Sequence, residues 1–400
     1  MSPKPLGRPR PLYATCDAGG ESALAEELVK LRCDNVEPSH RGVYFWGGEE
    51  TMWRVNLYSR LANRVLIPIA EFPVGDRHAL YDSSKQVRWD WWIHSSQTIA
   101  VDASSHRSEM QHTHFISQVI KDAVADHFRE RYEERPSVNT EDPDLPINAR
   151  ISDNLCTLSL DTSGPRLHRR GYRLDGGPAP LKETLASLLN HLIEWRPNEP
   201  LIDLTCGSGT VLIEAALRAL MSPANLERAQ SEGFAFQRWR SHSLSKFNEW
   251  LERSPKPPPL PASLWGSDLD AQQIKRARAN AERAGIKDQI HWTVGDFAET
   301  SEQASAWLRN RSESNTVQKR RAVLIMNLPY GERLKSDSER SIDLFRELGA
   351  KLKEHFEGCE AWLLVSEDSP WRHIGLKPNE QISLSNGAIP VKFVQFKLYK

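Results

Sequence analysis

"LIDLTCGSGTVLIEAAL", Leu201 to Leu217, is the stretch that decides the fold. A short apolar run, broken only by Asp203, meets a turn with two glycines and then an apolar stretch of helical spacing. Strand, glycine turn and buried helix in that order open a doubly wound sheet. Gly207 and Gly209 let the backbone turn tightly and let a ligand approach where a Cβ would block it. The helix that begins at Thr210 presents free N–H groups and favours a negative ligand group. The turn is not a P-loop, because no Gly-Lys-Ser/Thr follows. It is not the dinucleotide fingerprint either, because Leu212 stands where the third glycine would be. Asp203, closing the strand, suits a ligand that also carries a positive group.

Downstream, the same grammar repeats. "PLIDL", "LWGSD", "IHWTVGD", "AVLIMN" and "AWLLVSE" read as strands separated by helical stretches, which predicts an α/β parallel sheet from Leu181 onward. "LWGSDLD" ends its strand in Asp268, where a carboxylate can accept both ribose hydroxyls. A helix over 271–284 follows, closed by Gly285. "IHWTVGDF" ends in Asp296, placed to accept from an adenine amino group, with Phe297 to pack on the ring. Each Asp alone reads as a helix cap or loop residue. Together, at successive strand ends, they line the crevice where this fold binds ligands. The fourth strand delivers Asn327, Leu328, Pro329 and Tyr330, and Pro329 ends it for want of an N–H.

Upstream, the pattern is α+β. "LYAT", "GVYFWG", "VLIPIAEF" and "TIAVDAS" read as strands, with helices over 21–30 and 115–132 and an alternating hairpin, "INARISDNLCTLSLDTS". "SPKPPPLPAS", Ser254 to Ser263, reads as a stiff exposed connector in the second half. The chain has 400 residues, 39% hydrophobic and 26% charged, as in ordinary globular proteins. No apolar window long enough to span a membrane exists, and the basic N-terminus lacks an apolar signal core, so a cytoplasmic protein is expected. Five scattered cysteines without a CxxC pair suit a reducing compartment and give no zinc motif.

Net charge is −1, so any nucleic-acid contact must be local. Basic clusters lie at Lys4, Arg8 and Arg10, at Arg166, His168, Arg169, Arg170 and Arg173, and at Lys319, Arg320 and Arg321. A charge run taken alone is usually a solvated surface. His106, His112 and His114 lack metal-site spacing, so no metal is expected. Trp89, Trp91 and Trp92 could stack on bases, but aromatics in a small α+β domain are more often core. Cys206 lacks the preceding Pro of thiol-nucleophile methyltransferases and reads as structural.

The order "DLTCGSGT", "GSDLD", "GDF", "NLPYGERL" resembles class I S-adenosylmethionine methyltransferases with an Asn-Pro-Pro-Tyr type active site. "LDTSGPRLHRRGYR", "APLKETLA" and the front stretches quoted above resemble one family, the RlmL-type guanine-N2 methyltransferases of large-subunit ribosomal RNA. The resemblance runs from about Leu12 to Lys400. It implies a Rossmann-like class I sheet over 164–400, preceded by a ferredoxin-like domain over 1–52 and a THUMP RNA-binding domain over 53–163. It implies a cofactor site drawn from Lys182, Glu183, Thr184, Asp203, Thr205, Cys206, Gly207, Ser208, Gly209, Thr210, Asp268, Leu269, Asp296, Phe297 and Asn327. The catalytic group would be Asn327, Leu328, Pro329 and Tyr330, and the cluster from Arg166 to Arg173 would meet RNA.

Leu328 departs from the family's commonest Pro, and the second methyltransferase domain of some members is not expected here. A guanine N2 amine is a poor nucleophile. Asn327 Oδ1 and a carbonyl of the Leu328–Pro329 turn would accept its hydrogens, and Tyr330 would stack on a base extruded from its helix. The expected partner is large-subunit ribosomal RNA, naked or in an early assembly intermediate, and a monomer is expected. A tRNA guanine-N2 enzyme, another N-methyltransferase, or a non-catalytic RNA-binding factor are the alternatives.

Overall fold

Period-two patterning builds the first sheet. β1 (Arg10–Thr15) is followed by α1 (Glu21–Lys30), β2 (Asp34–Ser39), β3 (Gly42–Gly47), α2 (Glu49–Tyr58) and β4 (Arg64–Pro73). Leu12, Ala14, Val43 and Phe45 alternate onto one buried face. Then come α3 (Arg77–Gln86), β5 (Thr98–His106), α4 (Thr113–Tyr132), β6 (Ser137–Val138), β7 (Leu145–Ser152) and β8 (Leu155–Asp161). The hairpin turns at Asp153 and Asn154, both with positive φ (51° and 60°), as a two-residue turn requires. The strands hydrogen-bond in the order β2-β3-β1-β4-β8-β7-β5-β6, so the segments before and after residue 52 share one eight-stranded sheet through the β1–β4 pair. The structure, a computed structural model, describes residues 8–173, 181–253, 263–313, 322–328, 339–387 and 389–399.

The second half continues with α5 (Glu183–Leu192), β9 (Leu201–Asp203), α6 (Thr210–Ala219), α7 (Leu226–Gln230) and α8 (Leu244–Glu252). β10 (Leu264–Asp268), α9 (Ala271–Arg283), β11 (Ile290–Val294), α10 (Phe297–Glu313) and β12 (Val323–Asn327) follow. The chain closes with α11 (Glu339–His355), β13 (Glu360–Ser366), β14 (Glu380–Asn386) and β15 (Ile389–Lys397). Sheet order is β11-β10-β9-β12-β13-β15-β14, parallel among β9 to β13 and antiparallel at β15. Leu201, Ile202, Val323, Leu324, Ile325 and Met326 are all buried. Such two-sided burial is what a parallel strand under helices on both faces demands.

Contacts gather the chain into two units: Met1–Cys16, Leu24–Arg169 and Asn225–Pro255 in one, Asp17–Ala23, Arg170–Ala224 and Lys256–Lys400 in the other. The insertion carrying α7 and α8 therefore packs with the front sheet, which a division at residue 163 does not anticipate. Asn225 Nδ2 donates to the Asn56 carbonyl (2.8 Å), Arg228 Nη2 to the Ser163 carbonyl (2.8 Å) and Trp239 Nε1 to the Asp144 carbonyl (3.0 Å). Phe236 and Phe247 complete an aromatic cluster around Trp53. Of the three tryptophans expected in the core, Trp89 and Trp92 are buried and Trp91 is half-buried under Arg88, and Trp89 Nε1 donates to the Ser84 carbonyl. Residues 254–262 of the proline-rich connector, Lys4, and Lys319 to Arg321 lie outside the described residues. Among the described residues no helix is long and apolar enough to cross a membrane, and no group of three metal-ligating side chains occurs.

Candidate active site

The chain order reverses beside β9: β10 and β11 lie on one side, β12 to β15 on the other. In open sheets of this kind the ligand crevice opens beyond the carboxyl ends of the strands at that reversal. β9 ends there in Asp203 and β12 in Asn327. Ile202 is level with Leu324, so Asn327 lies two residues further out than Asp203.

The glycine turn after β9 is tied from several sides. The Cys206 N–H donates to the Ser267 carbonyl (2.8 Å) and the Gly207 N–H to Asp268 Oδ2 (2.8 Å). Asn280 Nδ2, from α9, donates to the Ser208 carbonyl (3.0 Å). Both glycines have positive φ, 53° at Gly207 and 83° at Gly209. They serve different ends. A Cβ at Gly209 would stand 2.6 Å from the Trp292 ring, whereas at Gly207 it would meet nothing within 4 Å. Gly209 thus lets α6 close on β11, and Gly207 leaves the turn open toward the crevice. Thr205 and Ser208 are half-buried along the turn, and Thr210, buried, starts α6.

Asp203 is 1% exposed and has no ion-pair partner among the described residues. Its Oδ1 accepts from the Thr205 N–H (3.0 Å). Burial pushes its carboxyl up to about 8; the Thr205 N–H opposes the rise and the Asp268 charge adds to it. Burial, together with Asp203 and Asp268, raises the Cys206 thiol well above its ordinary value, which fits a structural rather than nucleophilic cysteine. Asp268 Oδ1 accepts from the Asp270 N–H (2.9 Å), so each of its oxygens holds one backbone donor and keeps a lone pair. Leu269 beside it is exposed. Asp296 Oδ1 accepts from the Ala298 N–H (2.7 Å) and caps α10, whose first residue, Phe297, packs half-buried on the core. A carboxyl in want of a cation, an open turn at a helix N-terminus and two strand-end carboxylates fit a ligand that joins a charged amino-acid moiety to a nucleoside.

At β12, Asn327 Oδ1 is buried and has no hydrogen-bond partner among the described residues. Leu328 donates its N–H to the Leu364 carbonyl (3.3 Å) and buries its side chain in the core with Met326, Phe345 and Leu363. With its side chain in the core, Leu328 has only its backbone to offer the site. Pro329 and Tyr330 lie outside the described residues.

The segment before the turn divides. Arg166 and Arg169 are exposed and His168 is half-buried. Arg170 is buried 3.8 Å from Glu214, and Arg173 donates to Glu183 (3.0 Å) and to the Leu181 carbonyl (2.7 Å). Arg170 and Arg173 are therefore corrected from RNA contacts to internal ties, because their guanidinium groups are already desolvated on carboxylates. Glu183 is buried, which pushes its carboxyl up to about 7 against the pull of Arg173. Lys182 pairs with Asp17 (3.0 Å), and Thr184 donates to the same carboxylate (3.3 Å).

Sequence reasoning missed Asp17, Tyr172, Glu214 and Asn280. Glu214 accepts from the Tyr172 hydroxyl (3.0 Å) and the Ser187 hydroxyl (2.7 Å). Its signal was a lone acid in the apolar run "TVLIEAAL"; that of Asn280 was an amide on the buried stripe of α9 with Ile274, Ala277 and Ala281. Asp17 carries no such signal.

The UPF0020 profile, described as an RMKL-like methyltransferase domain, matches residues 170–395. A THUMP profile matches 75–161 and an RlmL ferredoxin-like profile 11–66. A protein of Synechocystis sp., provisionally named as an RNA methyltransferase, is 36% identical over 98% of this chain and 97% of its own. The ribosomal RNA large subunit methyltransferase K/L of Syntrophotalea carbinolica is 37% identical over 98% of this chain, which spans 54% of that protein's length. The crystal structure of SMU.472, described as a methyltransferase complexed with S-adenosylhomocysteine, superposes with a TM-score of 0.82 at 25% identity, covering 98% of this chain and 99% of that one. The chain belongs to the UPF0020 family of S-adenosylmethionine-dependent methyltransferases, with ferredoxin-like and THUMP segments ahead of the catalytic sheet.

Proposed function

We propose that this protein methylates the exocyclic N2 of a guanosine in large-subunit ribosomal RNA. The observation that carries the reading is the buried Asn327 Oδ1, an acceptor with no partner among the described residues at the switch point. A buried acceptor left unpaired costs about 1–3 kcal/mol, so a strand end that keeps one suits a substrate donor. S-adenosylmethionine supplies the electrophilic methyl group. Asp203, the Gly207–Gly209 turn, Asp268, and Asp296 with Phe297 would hold it.

Asn327 Oδ1 accepts one hydrogen of the amine and a carbonyl of the Leu328–Pro329 turn the other. That turns the nitrogen lone pair toward the methyl and stabilises the positive charge that develops on nitrogen. Tyr330 stacks on the base, which must leave its helix to enter. The proton lost from nitrogen after transfer goes to solvent, and no dedicated base is invoked. The ribosomal RNA names of the K/L relatives support the substrate class.

Incubation with labelled S-adenosylmethionine and deproteinised large-subunit RNA, followed by nucleoside analysis, tests the reading. Label in N2-methylguanosine is expected. Label in methyladenosine, or label accepted by tRNA but not by ribosomal RNA, would overturn it.

A further inference from the structure

The face of the front sheet opposite Leu12, Ala14, Val43 and Phe45 has an unusual composition. Tyr44 and Trp46 alternate along β3 and stand 39% and 41% exposed. Tyr13, on β1, lies directly opposite Tyr44, with ring centroids 4.6 Å apart. It donates its hydroxyl to the His40 carbonyl (2.8 Å) and is itself covered. A Cβ at Gly42 would stand 2.5 Å from that ring, so glycine is needed for Tyr13 to lie flat and support Tyr44. Tyr44 is thus backed by the Tyr13 ring, and both Tyr44 and Trp46 stay partly exposed.

The edge strand adds charge. β2 places Glu37 opposite Tyr44 and Asp34 opposite Trp46. Residues three apart in a regular strand point to opposite faces. Here a bulge between Asp34 and Glu37, with Asn35 at φ 46°, absorbs the odd residue and brings both carboxylates to the aromatic side. Both are exposed, and neither has an ion-pair or side-chain hydrogen-bond partner among the described residues. Arg64, opposite Thr15 on the same face, is neutralised by Asp161.

We propose that this face docks an extended Lys/Arg-rich segment of a partner protein. Successive same-side residues of an extended chain are about 6.6 Å apart, the spacing of Tyr44 and Trp46 along their own strand. Alternate cations can therefore lie over the two rings while Glu37 and Asp34 balance their charge. Single-stranded RNA would also find two rings to stack on, but its phosphates would face two uncompensated carboxylates. The proposal is independent of the reading of the active site.

Titration of the full chain with a short Arg-Gly repeat peptide, with oligouridylate in parallel, tests it. Trp46→Ala, and Asp34→Asn combined with Glu37→Gln, should each weaken peptide binding about fivefold, the scale of an exposed cation–aromatic contact. Methyl transfer to deproteinised RNA should stay unchanged in both variants, which also reports that they fold. Peptide affinity unaffected by either change would overturn the proposal. So would oligouridylate binding lost in Trp46→Ala and strengthened by removing the carboxylates, which would make the face an RNA platform.

Discussion

Two polar residues end neighbouring strands in one crevice, and they are treated in opposite ways. Asp203, at β9, sits at the root of a turn whose every arm is tied: to Ser267, to Asp268, to Asn280. Asn327, at β12, has an amide oxygen that nothing described satisfies. The first arrangement prepares a rigid cradle for a ligand that stays in one pose. The second leaves an acceptor for a group that arrives only with the substrate. Binding and chemistry should therefore separate along that line, since only contacts strengthened in the transition state accelerate the reaction.

The largest effect should come from Asn327→Ala. Losing one preorganised group aimed at developing charge costs about 10²–10³-fold in turnover. Single-turnover methyl transfer should fall by that factor while affinity for the cofactor, read by calorimetry, stays within about twofold. A parallel loss of affinity would place Asn327 in the cradle and erase the contrast.

Gly209→Ala attacks the other side. Its Cβ would meet the Trp292 ring at 2.6 Å from a backbone at φ 83°, and overpacking of this kind costs about 1–3 kcal/mol. Denaturant unfolding should show that loss. Gly207→Ala should cost only its backbone strain, since the added methyl meets nothing within 4 Å.

A smaller effect should follow pH at Asp203. The folded carboxyl titrates near 8 and an ordinary one near 3.8, so the folded state holds an extra proton between those values. The stability this group contributes is full below about 3.8 and is lost as pH rises through 8. Ligand-free melting temperatures should therefore decline from about pH 5 to about pH 8 and level off above it, and the decline should be smaller in Asp203→Asn. Affinity for the cationic cofactor should run the other way, tightening by up to about tenfold per pH unit until the carboxyl is ionised. A flat affinity profile would mean that Asp203 meets no cation.

The parallel sheet was legible because its central strands, β9 and β12, are buried apolar runs that stop at a polar residue. β2 was not, because Asp34–Ser39 is polar, carries Pro38 and pairs on one edge only. The packing of 225–255 with the front sheet was not legible because sequence order says nothing of which sheet a helix seeks. Asn327, Asp203 and the glycines were visible as motif residues. The burial of Leu328 was not legible, because a motif position does not reveal which way a side chain points. Arg170 and Arg173 were misjudged because their partners, Glu214 and Glu183, lie on other elements.

That last error repeats the contrast between tied and untied groups within eight residues, and it sets the smallest test. Arg166 and Arg169 are exposed, and no ion pair with a carboxylate engages either among the described residues. Arg170 and Arg173 are spent on buried carboxylates. If the outward pair meets phosphate, each contributes about 0.7–0.9 to the slope of log affinity against log salt. The Arg166→Ala, Arg169→Ala double variant should then bind RNA a few-fold more weakly at moderate salt, with a slope reduced by roughly 1.5 and unchanged thermal stability. A variant with unaltered slope would show that the outward pair meets no phosphate.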